Sequence, residues 1–208
     1  MKNLEKQLYL SLLSGLFCVF TCGTAVGQIE LQFSDGVTTG TTFNVDVGTT
    51  QTISVTAVET IPGSALSTGG LTGYGFAVSG NATSGAAATL NSFTGNPTFS
   101  FLPSTTVTAS SADVQRSTFT PVVGTSVFLG DFDVSVTNAG STDFTFSDRS
   151  GQSEFASGGA DLDAIVFQEG GSLSFTINAI SSIPEPSSGL LIGFSMLATM
   201  VRRRRNRS

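Results

Sequence analysis

The 208-residue chain has no histidine and no tryptophan, and its cysteines and lysines (Cys18, Cys22, Lys2 and Lys6) all fall within the first 22 positions. Without histidine there is no Ser-His or Cys-His pair to activate a nucleophile. The usual zinc sites, built from His and Cys, are excluded with it. From Gln28 onward no cysteine remains, so this body is not disulfide-stapled even in a compartment that permits disulfides. Tyr74 is its single tyrosine. Sugar clefts usually stack on Trp or Tyr, whose flat apolar faces carry a polar edge, so an aromatic-stacking carbohydrate site is disfavoured. Positive charge is scarce as well. Between Gln28 and Glu185 fourteen carboxylates face only Arg116 and Arg149, a net charge of −12 that the whole-chain value of −6 conceals. A surface this acidic repels nucleic acid and anionic lipid and argues against both as partners.

What is there is Thr, Ser, Gly, Val and Phe, in short stretches with period-2 alternation, the mark of strands with one buried face. Ile29, Leu31 and Phe33 alternate with polar residues, as do Phe43, Val45 and Val47, then Ile53, Val55 and Ala57, then Tyr74, Phe76 and Val78. Ala88 with Leu90 and Phe99 with Phe101 make two more. The strongest pattern is Val127–Thr137, with Phe128, Gly130, Phe132, Val134 and Val136 expected on one face and Asp131, Asp133 and Ser135 on the other. Phe144 with Phe146, then Leu162, Ala164 and Val166, then Leu173 to Ala179 complete the series, with Gly- and Asn-containing turns between. Pro62–Gly70 and Pro103–Arg116 read as loops, the latter with an edge strand at Thr105–Ala109. Many short alternating strands without helices predict an all-β fold, a single sandwich or jelly roll of about nine strands over residues 28–182. Fourteen Phe in that body supply the core, each burying on the order of 150–250 Å².

Both ends read as targeting segments. Lys2 and Lys6, the apolar stretch Leu8–Phe20 and small residues ending at Ala25-Val26-Gly27 have the order of a secretory signal peptide, with signal peptidase expected to cut after Gly27. At the other end Pro184-Glu185-Pro186 precedes an apolar run, Gly189–Val201, and then Arg202, Arg203, Arg204, Arg205 and Arg207. The two prolines make the tripeptide an extended, accessible strip. The arginines act as a stop-transfer cluster that stays in the cytoplasm, so both ends face the cytoplasm and the body lies outside. As a helix the 13-residue run spans only ~20 Å of a ~30 Å hydrocarbon core, which suits a temporary anchor better than a permanent one.

This tail, residues 183–208, resembles the sorting signal of PEP-CTERM proteins. The resemblance implies an exosortase-type membrane peptidase that recognises Pro184-Glu185-Pro186 and removes the helix and arginines. Ile183 stands where valine is often found before the motif, which keeps a β-branched, extended lead-in. The body resembles cohesin-type and related carbohydrate-binding nine-stranded jelly rolls through Ile29-Glu30-Leu31, the Thr-rich pair over Thr41–Thr56, the segment Gly70–Phe76 and the late strand Val127–Phe132.

Two acidic pairs are the remaining candidates for chemistry. Asp131 and Asp133 lie two apart on a strand, and Asp161 and Asp163 repeat the spacing. Calcium takes six to eight oxygens, so such clusters are candidate ligands, although neither pair fits the loop pattern that makes calcium binding specific. The same carboxylates are the only candidates for the acid and base of a glycoside hydrolase, but an exposed strand pair has no reason for the raised pKa that the acid needs. The sequence therefore points to an exported, non-enzymatic cell-surface or matrix protein with no bound cofactor. The alternative is an adhesion module for calcium or extracellular polysaccharide, and the membrane is a partner at least transiently through the C-terminal helix.

Overall fold

The computed structural model describes residues 29–61, 65–82, 87–149, 155–158, 160–168 and 173–181. Ala25, Gly27, the Pro184-Glu185-Pro186 strip and the arginine cluster lie outside them. The order is β1 (Ile29–Ser34), β2 (Thr42–Asp46), β3 (Thr50–Glu59), α1 (Ala65–Thr68), β4 (Leu71–Ala82), β5 (Ala88–Gly95), β6 (Phe101–Thr108) and β7 (Ser111–Val122). It continues with β8 (Ser126–Val136), β9 (Gly140–Ser147), β10 (Ala156–Ser157), β11 (Ala160–Asp161), α2 (Asp163–Gln168) and β12 (Ser174–Ile180).

Two sheets result. One runs β1-β3-β8-β5; the other runs β11-β10-β4-β9-β12-β2, with β7 also on β4 and β6 on β7. All pairings are antiparallel except β12 with β2, from Thr176↔Thr42 to Ile180↔Asp46. The expected alternation builds this sandwich: Ile29, Leu31 and Phe33 of β1 and Phe175, Ile177 and Ala179 of β12 are buried. Ten of the fourteen Phe are buried; the rings of eight form a continuous interior chain, and Phe99 and Phe155 join it through Tyr74. Phe146 is its hub, with ring centres 5.0 Å from Phe33, 5.1 Å from Phe76, 6.0 Å from Phe132 and 6.1 Å from Phe175.

Four sequence expectations change. Twelve strands are formed among the described residues rather than about nine, partly because Pro103–Arg116 belongs to a β6–β7 hairpin: the expected edge strand at Thr105–Ala109 is the second half of β6, and the rest is strand rather than loop. Leu162, Ala164 and Val166 are not a strand. Leu162 and Val166 are buried one turn apart with Ala164 exposed between them, the period of α2 rather than of a pleat. Within Pro62–Gly70 the described part holds the short helix α1, whose Ser67 amide donates to the buried Glu59 carboxylate at 3.2 Å. β8, finally, reverses its phase. Val127 and Leu129 are buried and Phe128 is 39% exposed, whereas beyond Gly130 the buried residues are Phe132, Val134 and Val136. The register with β3 slips between Val55 and Thr56 opposite this point, and that bulge turns Phe128 outward.

Tyr74 ties the sheets together: its hydroxyl donates to the Leu129 carbonyl, which also accepts from the Asn96 amide at 2.8 Å. Burial pushes the phenol well above its ordinary range, against the opposing pull of the Arg116 charge. The unfolded phenol ionises near pH ~10 while the folded one resists, so this contribution to stability is complete below pH ~10 and is lost as pH rises further. Residues 28–182 contain no lysine and no other tyrosine, so Tyr74 governs the alkaline limb of that body's stability. Tyr74→Phe is expected to lower stability at pH 7 by about 1 kcal/mol and to flatten the decline above pH ~10. Urea titrations at pH 7 and at alkaline pH, with phenolate absorbance followed alongside, measure both, and an unchanged alkaline slope in the variant refutes the assignment.

Candidate binding face and acidic pairs

The acidic pairs have separate surroundings. Asp131 and Asp133 do share the outer face of β8, as the alternation predicts. Their carboxylates are held by hydroxyls from the flanking strands: Ser54 donates to Asp131 at 2.6 Å, Thr52 to Asp133 at 2.9 Å and Ser92 to Asp133 at 2.8 Å. This cross-strand ladder stitches β3 and β5 to β8. Asp161 and Asp163 do not share a strand face, because β11 ends at the first and α2 begins at the second. Asp161 accepts the Asp163 amide at 3.0 Å, and the buried Asp163 carboxylate accepts the Phe155 amide at 2.8 Å, fastening α2 to the residue that leads into β10. The two pairs belong to different parts of the sandwich, and among the described residues no three His, Cys, Asp or Glu side chains converge as a metal would require.

The feature that sequence reading missed lies at the β6–β7 edge. Phe99 and Phe101 looked like one strand face, yet Phe99 is fully buried in the loop before β6 while Phe101 is 41% exposed. Leu102 follows with φ +46°, a left-handed conformation that a bulky L-residue adopts only under strain, and is 72% exposed. The β6–β7 register slips between Phe101 and Ser104, which swings Phe101 onto Phe119 of β7; their ring centres are 4.1 Å apart. Phe119 is itself 79% exposed. Three large apolar side chains therefore face solvent on a strained edge, where an isolated exposed Leu would mean little.

Beside them is a cavity of about 310 Å³ lined by Phe101, Phe119, Gln115, Arg116, Ser117 and Gly73 among others. Gly73 pairs with Ser117 on one side and Ala156 of β10 on the other, and Thr72 is the other β4 residue in the lining. Nearby, Arg149 bridges Asp113 at 2.5 Å and donates to Gln115 at 3.0 Å, fixing the polar margin of this face. The arrangement offers an apolar pair, a hollow and a rim of hydroxyl and amide groups. It suits a ligand with an apolar protrusion and hydrogen-bonding edges.

A scan of family models matches residues 182–205 to the PEP-CTERM protein-sorting motif. A type III cohesin module from the cellulosomal cell-surface anchoring scaffoldin of Ruminococcus flavefaciens is 12% identical, with a TM-score of 0.52 over 78% of this chain and 93% of that one. The chain carries a PEP-CTERM sorting motif on a cohesin-like body. The sixth cohesin of scaffoldin B from Acetivibrio cellulolyticus, solved with a dockerin, is 11% identical at a TM-score of 0.50, over 75% of this chain and 100% of that one. CaCohA2 of Clostridium acetobutylicum is 15% identical at a TM-score of 0.50, over 76% and 94%. No curated protein matches the chain. At these identities the cohesin likeness is one of fold. The sorting motif indicates export with membrane-associated sorting, and its match includes Pro184, Glu185, Pro186 and Arg202 to Arg205. Among the described residues no helix is long and apolar enough to cross a membrane.

Proposed function

We propose that this is an exported, non-enzymatic binding protein whose sandwich docks a protein partner on the Phe101–Phe119 face at the cell surface or in the extracellular matrix. In this reading residues 1–27 are removed by signal peptidase, residues 28–182 form the delivered body, and residues 183–208 are the sorting segment handled by an exosortase-type peptidase. The observation that carries the docking face is the pair of exposed, mutually packed rings beside a strained Leu102. A fold does not retain strain and apolar exposure together for its own stability. A protein partner accords with the cohesin fold, since the Acetivibrio relative was solved bound to a dockerin. The carboxylates needed for a hydrolase are engaged instead as sheet and helix fasteners, which gives that alternative no support.

The double variant Phe101→Ala, Phe119→Ala is expected to keep its melting temperature within a few degrees. Its capture of the partner retained by the parent chain from the organism's own extracellular fraction is expected to fall at least about tenfold, as for the loss of a central aromatic anchor. Undiminished capture removes the docking face. Glu185→Ala is expected to leave the full-length chain unprocessed in the inner membrane. Normal processing and location of that variant count against the sorting assignment.

A further inference from the structure

Neither cation of the body offers its charge to the docking face. Arg116 turns into the space between the sheets, its guanidinium carbon 6.0 Å from the Phe93 ring centre. Arg149 reaches the outer side instead and is engaged there. Ser147 of β9 pairs with Ala77 of β4, and from two positions further on Arg149 crosses β4, whose register partners for Asp113 and Gln115 are the small Ala77 and Gly75. There it bridges Asp113 and donates from Nη1 to Oε1 of Gln115 at 3.0 Å. Arginine only donates, so the end of the Gln115 amide that it holds is the carbonyl. The bond arrives from the Asp113 side. The cavity lies on the other side, toward Ser117 and Phe119, with neither Asp113 nor Arg149 in its lining. The amino end, Nε2, therefore faces the cavity that Gln115 lines; it is not buried and has no hydrogen-bond partner among the described residues. The neighbouring hydroxyls have the opposite polarity. Ser117 donates to the Phe101 carbonyl at 2.7 Å and Thr72 to the Ala156 carbonyl at 2.9 Å, so each has only lone pairs left to offer.

We propose that the Gln115 amide, oriented by Arg149, receives an uncharged carboxamide of the partner, a polypeptide presenting an Asn or Gln side chain next to an apolar residue. The assignment rests on the docking face proposed above and specifies its chemistry. A carboxamide brings a carbonyl for Nε2 and N–H donors for the Ser117 and Thr72 oxygens. A carboxylate brings no donor for those oxygens and approaches a body of net −12. An ammonium has no lone pair for Nε2. Phe101 and Phe119, inclined at 51° and packed on each other, present an edge and a crevice beside the cavity. That shape suits an apolar side chain next to the amide rather than a flat pyranose face. Arg149 acts through Gln115 and is a positioning residue.

The probes are three N-acetylated, C-amidated tetrapeptides, Leu-Phe-Gln-Leu, Leu-Phe-Glu-Leu and Leu-Phe-Met-Leu, titrated at neutral pH and up to millimolar concentration into the full chain in mild detergent. Binding is measured by calorimetry and through the side-chain amide signals in ¹⁵N spectra. The Gln peptide is expected to shift the Gln115 amide signals and to bind about tenfold more tightly than the Glu or Met peptide. Gln115→Ala is expected to erase that preference while all three peptides keep weak binding through the rings. Arg149→Met is expected to lose most of the preference, and Arg149→Lys to keep most of it, because an ammonium still donates to Oε1. Thermal melts of the variants separate loss of binding from loss of fold. Equal binding of the three peptides to the parent chain, or tighter binding of the Glu peptide, overturns the carboxamide assignment and leaves the docking face standing. A full preference retained by Arg149→Met overturns the positioning role. No binding of any peptide overturns both the docking face and its chemistry. Tighter binding of tri-N-acetylchitotriose, which carries an amide on each sugar, than of the Gln peptide overturns the choice of a polypeptide partner.

Discussion

Phe146→Ala is expected to lower stability by about 3–5 kcal/mol, the range for deleting a fully buried phenyl ring from a packed core. Phe146 is 1% exposed and contacts four other rings drawn from both sheets: Phe33 and Phe132 from one, Phe76 and Phe175 from the other. Truncation leaves a hollow that no single neighbour can fill, since Phe33, Phe76 and Phe175 are each held by further ring contacts. Edge-to-face and tilted pairs contribute about 0.5–1.5 kcal/mol beyond their area, so the loss of four places the effect toward the upper end. Against the ~5–15 kcal/mol typical of a domain, this threatens folding at growth temperature. The control is Phe119→Ala, whose ring is 79% exposed and which is expected to change stability by less than about 0.5 kcal/mol. Urea denaturation of both variants measures the contrast, and a Phe146→Ala cost no greater than that of Phe119→Ala refutes the aromatic hub.

The same contrast marks how far the sequence could be read. β1, β12 and the far half of β8 were legible because one face of each is buried without interruption and the alternation survives intact. The near half of β8 was not: its phase depends on the slip against β3 at Val55 and Thr56, about 75 residues away in the chain, which local alternation does not record. β6 is exposed along almost its whole length and therefore has no alternation to find. β7 begins well with Ala112 and Val114 inward, then places Arg116 where the period calls for an apolar residue. That interruption hid the strand: a half-buried arginine packed against Phe93 sits where an apolar residue would have continued the alternation. Phe101 and Phe119 were assigned to the core on the general habit of phenylalanine. Nothing local distinguishes a ring turned outward by a bulge from one that continues the pleat. Of the acidic pairs, Asp161 and Asp163 misled in a simpler way, since a spacing of two means one face on a strand and nothing of the kind across the β11–α2 junction.

Gly130→Ala carries the second large effect, and it tests the bulge itself. A Cβ at Gly130 would lie 2.4 Å from Cζ of Phe93, 2.6 Å from the Thr94 carbonyl oxygen and 2.8 Å from Cα of Gly95. Phe93 is packed against Phe132 at 4.6 Å and has little freedom to withdraw, and the other two atoms are backbone. β5 must therefore move off β8, at a cost of about 3 kcal/mol, the high end for overpacking a core. By comparison Gly36, at φ +87° with nothing within 4 Å of an added Cβ, is expected to cost only the ~1–2 kcal/mol of a left-handed L-residue. The displacement does not end at β5. Gly130 and Gly95 are register partners, and Gly95 forms the slot that holds Arg116. Gly130→Ala is thus expected to shift the Arg116 Nε–H signal as well as the urea midpoint, while Gly36→Ala moves only the midpoint. A Gly130→Ala chain within about 0.5 kcal/mol of the parent, with Arg116 unmoved, refutes the close approach of β5 to β8 on which both the phase reversal and the arginine slot depend.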